Sequence, residues 1–227
     1  MAVRIAGLCT LALALQPGIA IAKGAPDQEA KNADAARITM RDFAECLVRA
    51  RYGARQRGID AFLAMSPLSA GADAVGSKFA TPDCLKSRDS FSYIAMLRMK
   101  AQLLRGALFR ARFIETFRGK PIPATFAPYD VKARWHVPVD DPFAPLQAIG
   151  ECAVRGNPAA TRAVIEAPVG SPAEDGAYKQ VIPTLQQCIP ANSTFKFSRT
   201  VLEGLFAESL YNLSVAEPRP MPAVDKK

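Results

Sequence analysis

A five-residue motif occurs twice in this chain. Glu45-Cys46-Leu47-Val48-Arg49 returns as Glu151-Cys152-Ala153-Val154-Arg155. Each copy is followed by a second cysteine, 38 residues on at Cys84 and 36 residues on at Cys188. Further along, Leu104-Arg105-Gly106-Ala107-Leu108-Phe109 aligns with Leu202-Glu203-Gly204-Leu205-Phe206-Ala207. Three anchors in one order point to an internal duplication. A duplicated unit restricts the fold to two similar halves that bury their apolar faces against each other.

The halves read as helical. The chain carries 40 Ala and 18 Leu against 25 Val plus Ile. Ala loses no side-chain entropy in a helix, whereas β-branched residues lose some. The expected class is all-α, with two pseudo-symmetric helical repeats, each holding one disulfide, joined by a Pro-rich extended segment. The boundaries read as a signal peptide over 1–22, a flexible segment over 23–38, repeat 1 over 39–118, a connector over 119–147, repeat 2 over 148–213 and a disordered tail over 214–227. Six prolines between Gly119 and Gln147 forbid a continuous helix there. Tyr129–Val139 could pair as a short strand.

Local chemistry places the helix ends. Thr39-Met40-Arg41-Asp42 reads as a capping box that opens a helix from about Met40 to Tyr52. Asn157-Pro158 reads as N-cap and first helical residue of a helix through Glu166. Ser171-Pro172-Ala173-Glu174 is a full capping box, and Pro183 is expected to stop its helix near Val181. The longest helix of each copy comes last, about Phe91–Phe117 and Phe197–Asn212.

Met1–Arg4, an apolar run over Ile5–Leu15 and the small residues Ala20 and Ala22 form a secretory signal pattern, with cleavage expected after Ala22. The apolar run has 11 residues, and spanning a bilayer needs about 20. The expected location is the periplasm or beyond the cell. The mature chain would keep Cys46, Cys84, Cys152 and Cys188, an even count that reads as two disulfides in an oxidising compartment. Repeat symmetry permits all three pairings. Locality favours Cys46–Cys84 and Cys152–Cys188, each worth ~3–4 kcal/mol by loop-closure entropy.

Glu45 with Arg49, and Glu151 with Arg155, stand four apart with Glu first, the better order for a helical ion pair of ~0.3–0.5 kcal/mol. The other reading gathers the four side chains around an inter-repeat cleft as an enzyme site. Gly106 and Gly204 occupy matching mid-helix positions, where Gly costs ~1 kcal/mol relative to Ala. Close backbone approach would offset that cost, so the two long helices are expected to cross there. Arg105 aligns with Glu203 and Arg110 with Glu208, so a crossing could pair the copies by charge.

Residues 41–120 hold 15 Lys and Arg against 7 Asp and Glu, whereas residues 145–215 hold 5 against 6. Arg98, Arg105 and Arg112 recur every seven residues and share a helix face. They read either as a solvated face or inter-copy ion pairs, or as a contact surface for an anionic partner. Such a partner would be a polyanionic envelope glycan, lipid headgroups or an acidic protein. Nucleic acid fits an exported chain poorly, and the interleaved aromatics of single-strand binders are sparse.

Several chemistries find no support. The cysteines lack C-x-x-C spacing and His136 is the only imidazole, so no zinc site or other metal cofactor is expected. His136 beside Asp140 and Asp141 could act as an acid–base pair, but a linker histidine is the simpler reading. No G-x-S-x-G elbow, P-loop or dinucleotide fingerprint occurs, and no cofactor or catalytic residue is assigned. The ordered motifs Glu-Cys-x-Val-Arg, Cys-Leu and Leu-x-Gly-x-Leu, duplicated behind a signal peptide, resemble exported helical proteins of alphaproteobacteria over about residues 39–213. That resemblance implies no activity. The expected function is a non-catalytic periplasmic binding or interaction module, with an enzyme at the inter-repeat cleft as the alternative.

Overall fold

The structure, a computed structural model, describes residues 26–50, 53–79, 84, 100–122, 126, 141–189 and 195–215. The signal pattern, Arg98, His136, Tyr129–Val139 and residues beyond Val215 lie outside these. The described residues form eight helices and no strand. They are α1 Pro26–Arg49, α2 Gly53–Ala64, α3 Ala72–Ser77, α4 Ala101–Phe117, α5 Ala144–Gly156, α6 Pro158–Glu166, α7 Pro172–Cys188 and α8 Arg199–Val215. None is long and apolar enough to cross a membrane.

The core is assembled around α4 and α8, which pack on each other, with α1 against α4 and α5 and α6 against α8. Its centre holds Leu47, Ile59, Leu108, Phe113, Phe206 and Leu210, all essentially inaccessible to water. Gly106 and Gly204 are the point of closest approach: a Cβ built on Gly106 would lie 2.5 Å from the Gly204 Cα. Only two hydrogen-bearing α-carbons fit there, which explains glycine inside both helices. Both cysteine pairs join as locality suggests, Cys46 with Cys84 and Cys152 with Cys188.

Helix starts in the second half follow the local signals. Asn157 Oδ1 accepts the Ala160 N–H at 3.1 Å, and Ser171 Oγ accepts the Glu174 N–H at 3.2 Å. The Glu174 carboxylate does not return to Ser171 as a capping box would; it accepts the Gly170 N–H at 2.9 Å and turns into the core.

Four expectations are corrected. α1 begins at Pro26, so 26–38 is helical rather than flexible, and Thr39 is mid-helix, its hydroxyl donating to the Ala35 carbonyl at 2.9 Å. Arg37, Met40, Arg41 and Ala44 are all buried on one helical face, which anchors the extra turns. α4 begins at Ala101, so no one helix runs from Phe91 to Phe117: Lys100 is extended (ψ 141°) and Asp73 of α3 accepts the Ala101 N–H at 2.7 Å, while residues 91–99 lie outside the described ones. α7 continues through Pro183 to Cys188. A mid-helix proline costs ~3 kcal/mol, but Val181 and Leu185 are buried on either side and the Cys188 disulfide holds the end. Ser214 and Val215 are helical, the last turn of α8, rather than the start of a tail.

Candidate functional site

Seven ionisable side chains are buried in two clusters along the α4–α8 crossing: Arg37, Arg41, Arg110, Glu174 and Glu203 in one, Arg105 and Glu208 in the other. Isolated charges in such surroundings are prohibitively costly, so each must find a partner. Arg37 reaches Glu174, with Nη1 3.2 Å from Oε2, and Glu203, with Nη2 3.0 Å from Oε2. Arg41 Nε donates to Glu203 Oε1 at 2.7 Å and its Nη1 to the Ala167 carbonyl at 2.7 Å. Arg110 lies 3.2 Å from Glu203, donates to Glu45 at 2.9 Å and to the Ile165 carbonyl at 2.9 Å. Three arginines therefore face Glu174, Glu203 and Glu45.

A second cluster sits across the helix crossing. Arg105 binds Glu208 in bidentate fashion, Nε to Oε2 at 3.0 Å and Nη2 to Oε1 at 2.6 Å. Such a fork is the stronger kind of charge-assisted hydrogen bond. Arg105 also donates to the Met65 carbonyl at 2.8 Å and to the Leu63 carbonyl. Gln147 of α5 donates to Glu208 at 2.9 Å. The aligned positions pair crosswise, Arg105 with Glu208 and Arg110 with Glu203, on the two helices that meet at Gly106 and Gly204.

The network sets its own ionisation. Burial disfavours the Arg37 cation, yet the hydrogen bonds it donates to Glu174 and Glu203 outweigh that and hold Arg37 above its ordinary value. Burial pushes Glu174 up, but Arg37, the Gly170 amide and Arg41 together hold it below the usual carboxylate range. Burial and then the neighbouring Arg41 lower Arg110 below an ordinary guanidinium. Glu151 goes the other way: burial raises it, against the single opposing pull of Arg155.

The two Glu/Arg motif pairs close locally. Arg49 meets Glu45 at 2.6 Å and Arg155 meets Glu151 at 2.6 Å. Of the readings open for Arg98, Arg105 and Arg112, Arg105 takes the ion pair across the helix crossing rather than an exposed basic face: it is 3% exposed and occupied by Glu208. Arg112 is held by Asp60, and Arg98 lies outside the described residues. Sequence reading missed Arg37 and Arg41 as interior groups and treated Glu174 as a helix cap. Their 3–4 spacing with Met40 and Ala44 is the signal that could have placed them inward.

Two open grooves adjoin on the first half, sharing Val48 and Glu115 as lining residues. One, of about 350 Å³, lies beside Glu45, Arg49, Ile114 and Arg118. The other, of about 440 Å³, lies beside Gln56, Asp60, Arg112, Thr116 and Tyr211. Among the described residues no His, Cys, Asp and Glu side chains gather as a metal site. Comparison with known proteins returns no match to a protein-family profile, a curated protein or a solved structure.

Proposed function

We propose that this chain is an exported, non-catalytic binding module built from two copies of a helical unit, and that its partner is an anionic component of the cell envelope or an acidic protein. The observation that carries the reading is the fate of the interior charges. The buried arginines and glutamates neutralise one another across the crossing, Arg49 and Arg110 hold Glu45, and Arg155 holds Glu151. The interior groups paired in this way stabilise an architecture rather than wait for a substrate. The duplication is supported by the glycine-to-glycine crossing and the crosswise pairing. Export is supported by the signal pattern and two disulfides.

The excess positive charge of residues 41–120 then acts at the surface through exposed cations, among them Arg49, Arg57, Arg118 and Lys120, rather than through Arg105. Clustered surface cations attract polyanions over about a Debye length and lose that attraction as salt rises. Heparin chromatography tests this. The protein is expected to be retained and to elute earlier when Arg57, Arg118 and Lys120 are changed to Glu. Retention that is absent, or indifferent to salt and to those substitutions, overturns the anionic-partner reading. N-terminal sequencing of the protein from a periplasmic fraction is expected to begin at Lys23; an intact Met1 in a soluble cytoplasmic fraction overturns export.

A further inference from the structure

We infer that the double groove on the first half is a binding site for a sugar chain, which deepens the binding-module reading above and rests on it. Inside an overall basic protein, the ionic groups that line the two grooves balance: Glu45, Asp60 and Glu115 against Arg49, Arg112 and Arg118. A lining of that kind offers no net field for a simple ion. It offers acceptors and donors side by side, and a hydroxyl is the group that both donates and accepts.

The polar groups are held before any ligand arrives. Asp60 fixes Arg112, and Arg49 and Arg110 fix Glu45. Gln56 donates its amide to the Leu47 and Val48 carbonyls at the end of α1, at 3.4 and 3.0 Å, which leaves its oxygen to accept. The Tyr211 ring is set by Phe109 at 5.8 Å and Phe117 at 6.5 Å between centroids. A fixed, half-exposed aromatic face beside pre-oriented hydrogen-bonding groups suits the flat C–H face of a pyranose ring flanked by its hydroxyls. Volumes of about 350 and 440 Å³ fall in the range of small-ligand sites. The surrounding cations supply attraction at a distance, and the groove supplies recognition at contact.

Titration calorimetry with a heparin hexasaccharide and with a glutamate peptide of comparable charge separates the possibilities, using the mature protein and Thr116→Trp. Thr116 is exposed, so the larger side chain fills the groove without removing a core contact; an unchanged melting temperature verifies that. The hexasaccharide is expected to bind and to lose at least tenfold in affinity in Thr116→Trp, whereas any peptide binding is unchanged. Hexasaccharide binding that ignores the substitution overturns the groove assignment and leaves the binding module standing. Peptide binding that falls with it makes the groove a peptide site and also overturns the assignment. Binding of neither probe overturns both readings.

Discussion

Replacing Gly106 by Ala puts the helix crossing under direct load. In an open helix the change is favourable by ~1 kcal/mol. Here the new methyl would stand 2.5 Å from the Gly204 Cα, where carbon atoms prefer ~3.5–4.0 Å. The Gly204 Cα is backbone and cannot rotate aside, so α4 and α8 must part by ~1 Å. A gap of that size forfeits a quarter to a half of each dispersion contact across the interface, and it pulls on the Arg105–Glu208 fork, whose shorter bond is 2.6 Å. Overpacking of this kind costs ~1–3 kcal/mol or more. With the cost at the upper end of that range we expect a net loss of ~1–2 kcal/mol, read as a fall in Tm of roughly 2–8 °C for a chain of this size. Gly204→Ala should behave alike. The double variant should lose less than the sum, because helices already parted by one methyl accept the second. Gly176 of α7 is the internal control, since nothing lies within 4 Å of its Cβ position; Gly176→Ala should gain up to ~1 kcal/mol. Thermal melts of the four variants decide it. A Gly106→Ala protein as stable as the parent refutes the close crossing.

Other consequences follow from the buried charges and the bridges. Glu174→Gln removes one of the carboxylates that hold the buried Arg37 and should cost ~3–5 kcal/mol in denaturant unfolding. Because Glu174 is held below its ordinary value near 4.5, its contribution is present above that pH and is lost as pH falls through the folded-state value; the Gln variant should therefore lack that part of the acid dependence. Glu151 has the opposite sign. Its folded value is raised, so the contribution is present below the ordinary value and is lost as pH rises through the folded value. Glu151→Gln should be neutral or stabilising at pH 7, as melts at pH 4 and pH 7 will tell. Replacing Cys152 and Cys188 together by Ser should lower stability by ~3–4 kcal/mol in the same assay.

Local chemistry made much of the fold legible. Asn157 and Ser171 cap their helices within three residues, and the disulfides join cysteines within each half, so short-range reasoning reached them. The matched glycines revealed the crossing, because only a close neighbour justifies Gly in two helix interiors. Long-range partners hid the rest. Arg37 and Arg41 receive no interior partner from the sequence, because Glu174 and Glu203 lie 137 and 162 residues away. For Arg105 the sequence leaves a solvated face, an inter-copy ion pair and an anionic-partner surface open, because its partner lies 103 residues on. Spacing shows which residues share a face; it does not show whether that face meets water or a carboxylate. The groove was invisible because Tyr211 reaches α2 and α4 only after the fold closes.

The Arg105–Glu208 pair tests most directly whether the two halves are locked by their interior charges. Arg105→Met strands a carboxylate that is 2% exposed, and Glu208→Gln leaves a cation that is 3% exposed without its counter-charge. Each single variant should lose ~3–5 kcal/mol. In a double-mutant cycle measured by chemical unfolding, the coupling should be about 2 kcal/mol or more. Losses that simply add, with coupling below about 0.5 kcal/mol, would contradict the lock.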